Sequence, residues 1–219
     1  MSEADRERWD ARHSAVGAGV PMPPDGLRGR LDLLPGADLP GADRGGVPGV
    51  DLSGVDRGGV PDADQAVTPR ADRSSLPAGG RALDVACGRG AVAVWLAQQG
   101  FLVDALDVSP AGLDSARDLA DAEGVEVRFV AADLDDGLPV DGPYDLVVCQ
   151  RFRDPVLYPA LAAALAPGGL LVITVLSEVD DEPGPFRAAP GELRAAFASL
   201  EILAHEERNG EATLLAVKP

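Results

Sequence analysis

The stretch from residue 81 to residue 90, RALDVACGRG, constrains the fold of this chain more than any other. A short apolar run is typical of a buried strand, and it ends in a turn that contains Gly88 and Gly90. A helical pattern follows at once. This order of strand, glycine turn and helix lets a backbone approach a ligand closely at the carboxyl end of a parallel strand. The strand also contains Asp84, and a buried carboxylate needs a polar or cationic partner.

Strand and helix patterns alternate over the rest of the chain. Strands are predicted at residues 82–87, 101–108, 125–131, 144–149 and 170–176, and helices at 91–99, 110–123, 155–165 and 192–198. The patterns at 200–205 and 211–217, joined by Asn209-Gly210, predict a closing hairpin. Near-continuous apolar strands that alternate with helices predict an α/β fold with a doubly wound, mostly parallel sheet, and the hairpin adds an antiparallel edge.

Composition divides the chain of 219 residues into three parts. Residues 1–16 carry a short, polar helical pattern with one large apolar side chain, Trp9, and could form a helix that lies across a body elsewhere. Between residues 17 and 77, Gly and Pro recur every few residues, and the unit ADRGGVP recurs once as VDRGGVP. Such a segment buries too little apolar surface to fix a fold. We therefore expect a largely disordered insertion at 17–77, followed by a globular domain at 78–219.

Charge and cysteine content restrict the classes of partner and compartment. The chain has 36 acidic against 19 basic residues and a net charge of −17. Binding to nucleic acid requires a basic face, and anionic membrane surfaces are disfavoured for the same reason. We find no apolar run near the ~18 residues of a membrane span and no apolar core of a signal peptide. Because both cysteines lie in apolar, strand-like runs, we expect a cytoplasmic protein without a disulfide framework.

Three carboxylates follow successive strands beside the glycine turn. The carboxyl ends of parallel strands meet at one edge of a sheet, so Asp84, Asp107 and Asp133 should lie close together. Asp107 lies 19 residues beyond Gly88, a spacing that suits a carboxylate accepting hydrogen bonds from a ribose. Asp133 could accept from an exocyclic amine, with the backbone amide of Leu134 facing a ring nitrogen. Asp84 is then left to bind a cationic group of the ligand.

Two kinds of ligand fit this arrangement. A ligand with an adenine, a ribose diol and a cationic amino-acid tail uses all three carboxylates. A dinucleotide is the alternative, because residues 88–93 (GRGAVA) match the G-x-G-x-x-A pattern. A pyrophosphate would then lie close to Asp84, which repels it. Each carboxylate alone could also serve as a helix cap or turn former.

Five segments resemble the successive motifs of the class I S-adenosylmethionine-dependent methyltransferases. They lie at residues 83–90, 103–110, 131–134, 144–148 and 165–169. The resemblance covers residues 81–176 and implies the seven-stranded, Rossmann-like sheet of that family with S-adenosyl-L-methionine as cofactor. Residues 8–13, 185–193 and 200–207 are in turn similar to the lid helix and C-terminal part of the small tellurite-resistance-type methyltransferases.

The resemblance also implies which residues contact the cofactor. Those facing the methionine portion are Asp84, Ala86, Gly88 and Gly90, those at the ribose are Asp107 and Val108, those at the adenine are Asp133 and Leu134, and Cys149 is a small wall residue. One departure from the family pattern is Ala86, which stands where the family usually has a glycine.

Methyl transfer from a sulfonium is a direct displacement in which the protein supplies orientation. His13, Arg151 and Arg153 are candidates to orient the acceptor, and the two arginines could hold an anionic one. No spacing of His, Cys and Asp predicts a metal site. We therefore expect an enzyme that methylates a small-molecule acceptor, with the acceptor and the oligomeric state left open. The alternatives are a non-catalytic S-adenosylmethionine-binding protein that acts through its insertion, and an NAD(P)-dependent oxidoreductase.

Overall fold

The computed structural model describes residues 7, 10, 11, 19–34 and 80–219. The strands are β1 (Arg81–Val85), β2 (Leu102–Asp107), β3 (Arg128–Ala131), β4 (Tyr144–Gln150), β5 (Leu165–Leu176), β6 (Glu201–Arg208) and β7 (Glu211–Val217). They form one seven-stranded sheet in the order β3-β2-β1-β4-β5-β7-β6. Strands β1 to β5 pair in parallel, whereas β7 pairs antiparallel with β5 and β6. The predicted fold class is confirmed.

Four helices connect these strands. They are α1 (Ala91–Gln98), α2 (Pro110–Glu123), α3 (Tyr158–Ala164) and α4 (Glu192–Ala196). Local sequence fixes the bounds of α2, because the Ser109 hydroxyl accepts from the N–H of Gly112 at the start and Gly124 adopts a left-handed conformation at the end. Over the described ranges, no helix has both the length and the apolar character needed to cross a bilayer.

The central strands are buried on both faces, as a parallel sheet requires. Helices α3 and α4 cover one face, where Leu83, Val147 and Phe197 belong to one apolar cluster. Helix α1 covers the other face, where Ala82, Leu96 and Leu146 belong to a second cluster. Both faces are thus closed over β1 and β4, and ligands can reach these strands only from their ends.

Residues 19–34 pack on the sheet, which corrects the prediction of a disordered insertion over 17–77 for this part of the range. They form two short 3-10 turns, Asp25–Leu27 and Leu31–Leu33. Leu27 is fully buried and Leu34 is 8% exposed. A Cβ on Gly26 would lie 2.8 Å from a methyl group of Leu215 in β7, so the glycine permits the close approach. These two buried leucines supply the apolar surface that holds the segment on the sheet. The average composition of residues 17–77 did not reveal it. Residues 35–79 lie outside the described residues.

The N-terminal lid helix predicted at residues 1–16 is described only in part. Glu7, Asp10 and Ala11 are helical, and we refer to these three described residues as the N-terminal helix. The other residues of that segment, including Trp9 and His13, lie outside the described residues.

Candidate cofactor site

The carboxyl ends of β1, β2 and β3 bring the predicted site residues to one edge of the sheet. The strands are in register there, with Val85 beside Leu106 and Asp107 beside Ala131. The turn that follows β1 has positive φ angles at Ala86 (57°), Gly88 (55°) and Gly90 (75°). These three alternate residues have a left-handed backbone conformation, which produces a tight turn between β1 and α1. Glycine adopts this conformation without steric cost.

Asp84 is a buried carboxyl group with an unsatisfied oxygen. The residue is 2% exposed, and its Oδ2 atom has no hydrogen-bond partner among the described residues. Burial and the nearby Asp107 raise the pKa of Asp84 to about 8, although a hydrogen bond from the backbone of Ala93 acts in the opposite direction. An orphaned buried acceptor is costly. A cationic group of a ligand would satisfy it.

Asp107 joins the glycine turn to the end of β2. Its Oδ2 accepts a hydrogen bond from the backbone N–H of Gly88 at 2.7 Å, and its Oδ1 accepts one from the N–H of Ser109 at 2.9 Å. Each carboxylate oxygen can accept a second hydrogen bond. Asp107 can therefore hold the turn and still accept from a pair of hydroxyl groups.

Gly90 sets the distance between the glycine turn and α2. A Cβ at this position would lie 2.7 Å from the Cβ of Ala116 in α2 and 3.2 Å from its Cα. The first contact is shorter than carbon atoms tolerate and the second is tight, so residue 90 must be glycine for the turn and the helix to pack as they do. The sequence reasoning assigned Gly90 to the cofactor alone, whereas the structure gives it a packing role as well.

The predicted adenine contacts lie on the next connection along the sheet edge. The backbone N–H of Ala132 donates to the carbonyl of Asp107, which places the segment after β3 beside the residue predicted to bind the ribose. The Asp133 carboxylate caps a 3-10 turn by accepting from the N–H of Asp135 at 3.1 Å, and Leu134 is buried. Asp133 is thus a turn former at the rim of the site, and Val108 is half-buried at the end of β2.

Cys149 lies in β4 directly beside Val85 of β1. It is 1% exposed, and its Sγ atom contacts the carbonyl oxygen of Phe152 at 3.5 Å. Burial, with the neighbouring Asp84 carboxyl, holds the pKa of this thiol well above its usual range. A neutral thiol is a poor nucleophile, so the geometry agrees with a small wall residue.

The two arginines predicted to orient the acceptor are both engaged with carboxylates. Arg153 donates from Nε and Nη2 to the two carboxylate oxygens of Glu192, at 2.8 and 2.7 Å. The hydroxyl of Tyr158 donates to the same carboxylate at 3.0 Å, and the pKa of Glu192 is lowered, chiefly by the Arg153 contact. Arg151 lies 3.2 Å from Glu211. His13 lies outside the described residues.

Sequence reasoning missed Asp10 in the N-terminal helix. Its carboxylate accepts hydrogen bonds from the hydroxyl of Ser109 and, at 3.4 Å, from the backbone N–H of Ala111. Asp10 and Ser109 are 99 residues apart in the chain, and no local pattern signals a contact over that separation. Ser109 itself was visible as the N-cap of α2.

Ala86 provides a test of the strain in the glycine turn. A left-handed conformation costs an L-residue about 1 kcal/mol, and glycine avoids this cost while making the unfolded chain more flexible. We expect Ala86→Gly to raise the free energy of unfolding by about 0.5 kcal/mol and to leave the Kd for S-adenosylhomocysteine nearly unchanged. Urea unfolding and calorimetric titration measure the two quantities. A loss of stability would mean that packing of the Ala86 methyl group outweighs its backbone strain.

Comparisons with known proteins agree with this geometry. Residues 82–169 match a protein-family profile described as "Methyltransferase domain". A "Ribosomal protein L11 methyltransferase" of Bordetella parapertussis is 34% identical over 149 residues, which cover 66% of this chain and 44% of that protein. A "Ubiquinone biosynthesis O-methyltransferase" of Xanthomonas axonopodis pv. citri is 34% identical over 107 residues, which cover 46% of this chain and 45% of that protein. The chain thus spans less than half the length of these relatives.

Solved structures share the fold. TehB from Haemophilus influenzae superposes with a TM-score of 0.58 at 23% identity, over 67% of this chain and 59% of that one. The magnesium protoporphyrin IX methyltransferase ChlM from Synechocystis PCC 6803, crystallised with bound S-adenosylmethionine, gives 0.52 at 21% identity, over 64% of this chain and 70% of that one. The profile match confirms a methyltransferase domain over residues 82–169, and the solved structures confirm its fold.

Proposed function

Because residues 82–169 match a protein-family profile described as "Methyltransferase domain", we propose that this chain is a class I S-adenosylmethionine-dependent methyltransferase that transfers a methyl group to a small-molecule acceptor. The observation that carries the proposal is the orphaned Oδ2 atom of the fully buried Asp84, next to the glycine turn. A cationic ligand would complete this site and stabilise the ionised carboxylate, whereas the pyrophosphate of a dinucleotide is an anion and has no donor to offer the Oδ2 atom. The bound cofactor supplies an electrophilic methyl group on a sulfonium, and the chain has to hold and orient it.

Each residue at the strand ends then has a defined task. The Asp84 carboxylate binds the ammonium group of the methionine portion, directly or through a water molecule. Asp107 uses its remaining acceptor capacity for the ribose hydroxyl groups. Asp133 and the backbone of Leu134 border the adenine, and Cys149 forms part of the wall. None of these side chains enters the chemistry.

The contacts of Arg153 bear on the class of acceptor. The acceptor is expected at the carboxyl ends of β4 and β5, between the loops of residues 151–157 and 177–191. Arg153 lies in the first loop and contacts the carbonyl of Pro185, at 3.4 Å, in the second loop and the carboxylate of Glu192 directly after it. With its N–H groups directed to these oxygens, Arg153 fixes the spacing of the loops and is not free to hold an oxyanion. Together with the net charge of −17, this favours a neutral acceptor.

The same site has few groups that could remove a proton from the acceptor. Within the described part of the chain, the titratable groups at these strand ends are the carboxylates assigned to the cofactor, the thiols of Cys87 and Cys149, and the loop carboxylates of Asp154 and Glu178, which lie near Cys149 and Arg153. Both thiols have a pKa raised chiefly by burial. We therefore propose a soft acceptor atom such as the sulfur of a small thiol, which arrives as the neutral thiol and loses its proton to solvent or to His13, the remaining candidate base. The free thiols also agree with a cytoplasmic location, which is part of the proposal.

An acceptor screen with product mass detection tests this function. We expect methylation of a neutral or thiol-bearing small molecule by the full chain and S-adenosylmethionine, and little methylation of selenite or tellurite. The Asp84→Asn variant serves as the negative control. Binding of the cofactor without turnover on any acceptor would favour a non-catalytic protein. Methylation restricted to a protein such as ribosomal protein L11 would contradict the small-molecule acceptor.

A further inference from the structure

A continuous chain of hydrogen bonds runs from the N-terminal helix to the glycine turn. The Asp10 carboxylate accepts from the Ser109 hydroxyl. The backbone N–H of Ser109 donates to Asp107 Oδ1 at 2.9 Å, and Asp107 Oδ2 accepts from the N–H of Gly88 at 2.7 Å. Three segments that are distant in sequence are thereby held at one point, and the Asp107 carboxylate, which is proposed to bind the ribose, belongs to the segment that joins the other two.

Ser109 is the residue through which this connection passes. It is fully buried, and its hydroxyl accepts from the N–H of Gly112 at 3.0 Å. A hydroxyl group carries one proton. The Ser109 hydroxyl donates this proton to Asp10 while its oxygen accepts from Gly112. Asp10 also accepts from the N–H of Ala111, at the positive end of the α2 dipole. Asp10 therefore helps to orient the connection between β2 and α2.

We propose that Asp10 is a positioning residue for the cofactor, because its bond to Ser109 couples docking of the N-terminal helix to formation of the ribose-binding end of the pocket. This inference rests on the proposed function. Coupling between two binding events is reciprocal. Docking of the helix should strengthen cofactor binding, and the cofactor should strengthen docking of the helix by the same factor. A residue that merely capped α2 would show neither effect.

The test compares wild type with Asp10→Ala, Asp10→Asn and Glu7→Ala, using S-adenosylhomocysteine as the probe. Glu7 lies on the same helix with an exposed side chain, so its variant is the matched control. We expect Asp10→Ala to raise the Kd about tenfold, within the usual range of coupling. Asp10→Asn should fall between Asp10→Ala and wild type, because its amide oxygen can still accept from Ser109. Glu7→Ala should bind like wild type.

Limited trypsin digestion supplies a readout that a purely structural role would not change. Arg8 and Arg12 flank Asp10 in the sequence, and we expect S-adenosylhomocysteine to slow cleavage there in wild type and not in Asp10→Ala. If wild type binds the probe and Asp10→Ala has the same Kd, or the same protection by ligand, the inference is wrong while the proposed function stands. If wild type does not bind the probe, both are overturned.

Discussion

Asp84→Asn is expected to bind S-adenosylhomocysteine about 100-fold more weakly than wild type at pH 8. The substitution keeps the size of the side chain and removes the charge that the ligand's ammonium group would meet in a buried site. Loss of a desolvated, hydrogen-bonded charge pair costs on the order of 3 kcal/mol, which corresponds to that factor. Isothermal titration calorimetry measures it. An unchanged Kd would show that Asp84 does not bind the amino group of the cofactor.

The same variant should change how stability depends on pH. The pKa of Asp84 is raised from 3.8 to about 8 in the folded protein, so between these values the folded state binds more protons than the unfolded state. The free energy of unfolding of ligand-free wild type should therefore fall as pH rises from 5 to 8, and level off above the folded-state pKa. Asparagine does not titrate, so this decline should be smaller in Asp84→Asn.

Urea unfolding at pH 5, 6, 7 and 8 measures this difference in slope. The exposed Asp114, in helix α2 and paired with Arg117, provides the control variant Asp114→Asn, which should keep the wild-type decline. Parallel profiles for wild type and Asp84→Asn would show that the buried carboxyl does not titrate in this window.

Asp107→Ala should abolish most cofactor binding and also destabilise the protein. The ribose hydroxyl groups lose two charge-assisted hydrogen bonds, for which we expect a loss of about 2–4 kcal/mol of binding free energy. The N–H groups of Gly88 and Ser109 lose their acceptor as well, and each unsatisfied group costs roughly 1–3 kcal/mol if it stays buried. Calorimetry and urea unfolding separate the two effects.

Two variants sharpen this second test. Asp107→Asn keeps one acceptor oxygen and should be more stable than Asp107→Ala while still binding the cofactor weakly. Asp114→Ala removes an exposed carboxylate from the same connection and should change neither quantity. If Asp107→Ala lost stability but kept the wild-type Kd, its role would be confined to holding the glycine turn.

Local sequence signals were sufficient for most of the secondary structure. Ser109, Pro110 and Gly124 predicted the bounds of α2 as the structure has them, and Asn209-Gly210 predicted the turn between β6 and β7. Strand β5 begins at Leu165 and not at residue 170, because Leu165 pairs with Tyr144 of β4 before the register shifts. Such pairing joins residues far apart in the chain, and a local pattern cannot reveal it.

For the site as well, local patterns predicted some features, and contacts between residues distant in the chain were missed. The convergence of Asp84, Asp107 and Asp133 followed from the rule that parallel strands end at one edge. The contact between Asp10 and Ser109, the pairing of Arg153 with Glu192 and the burial of Leu27 depend on tertiary structure. Charge type alone suggested an anion site at Arg153, whereas its partner in α4 became visible only in the fold.

Calorimetric titration of the full chain with S-adenosylmethionine and, separately, with NADH tests the account most directly. The arrangement of Asp84 and Asp107 around the glycine turn predicts saturable binding of one S-adenosylmethionine per chain, and no binding of NADH. Binding of NADH without binding of S-adenosylmethionine would contradict the assignment of the pocket and, with it, the proposed methyltransferase activity.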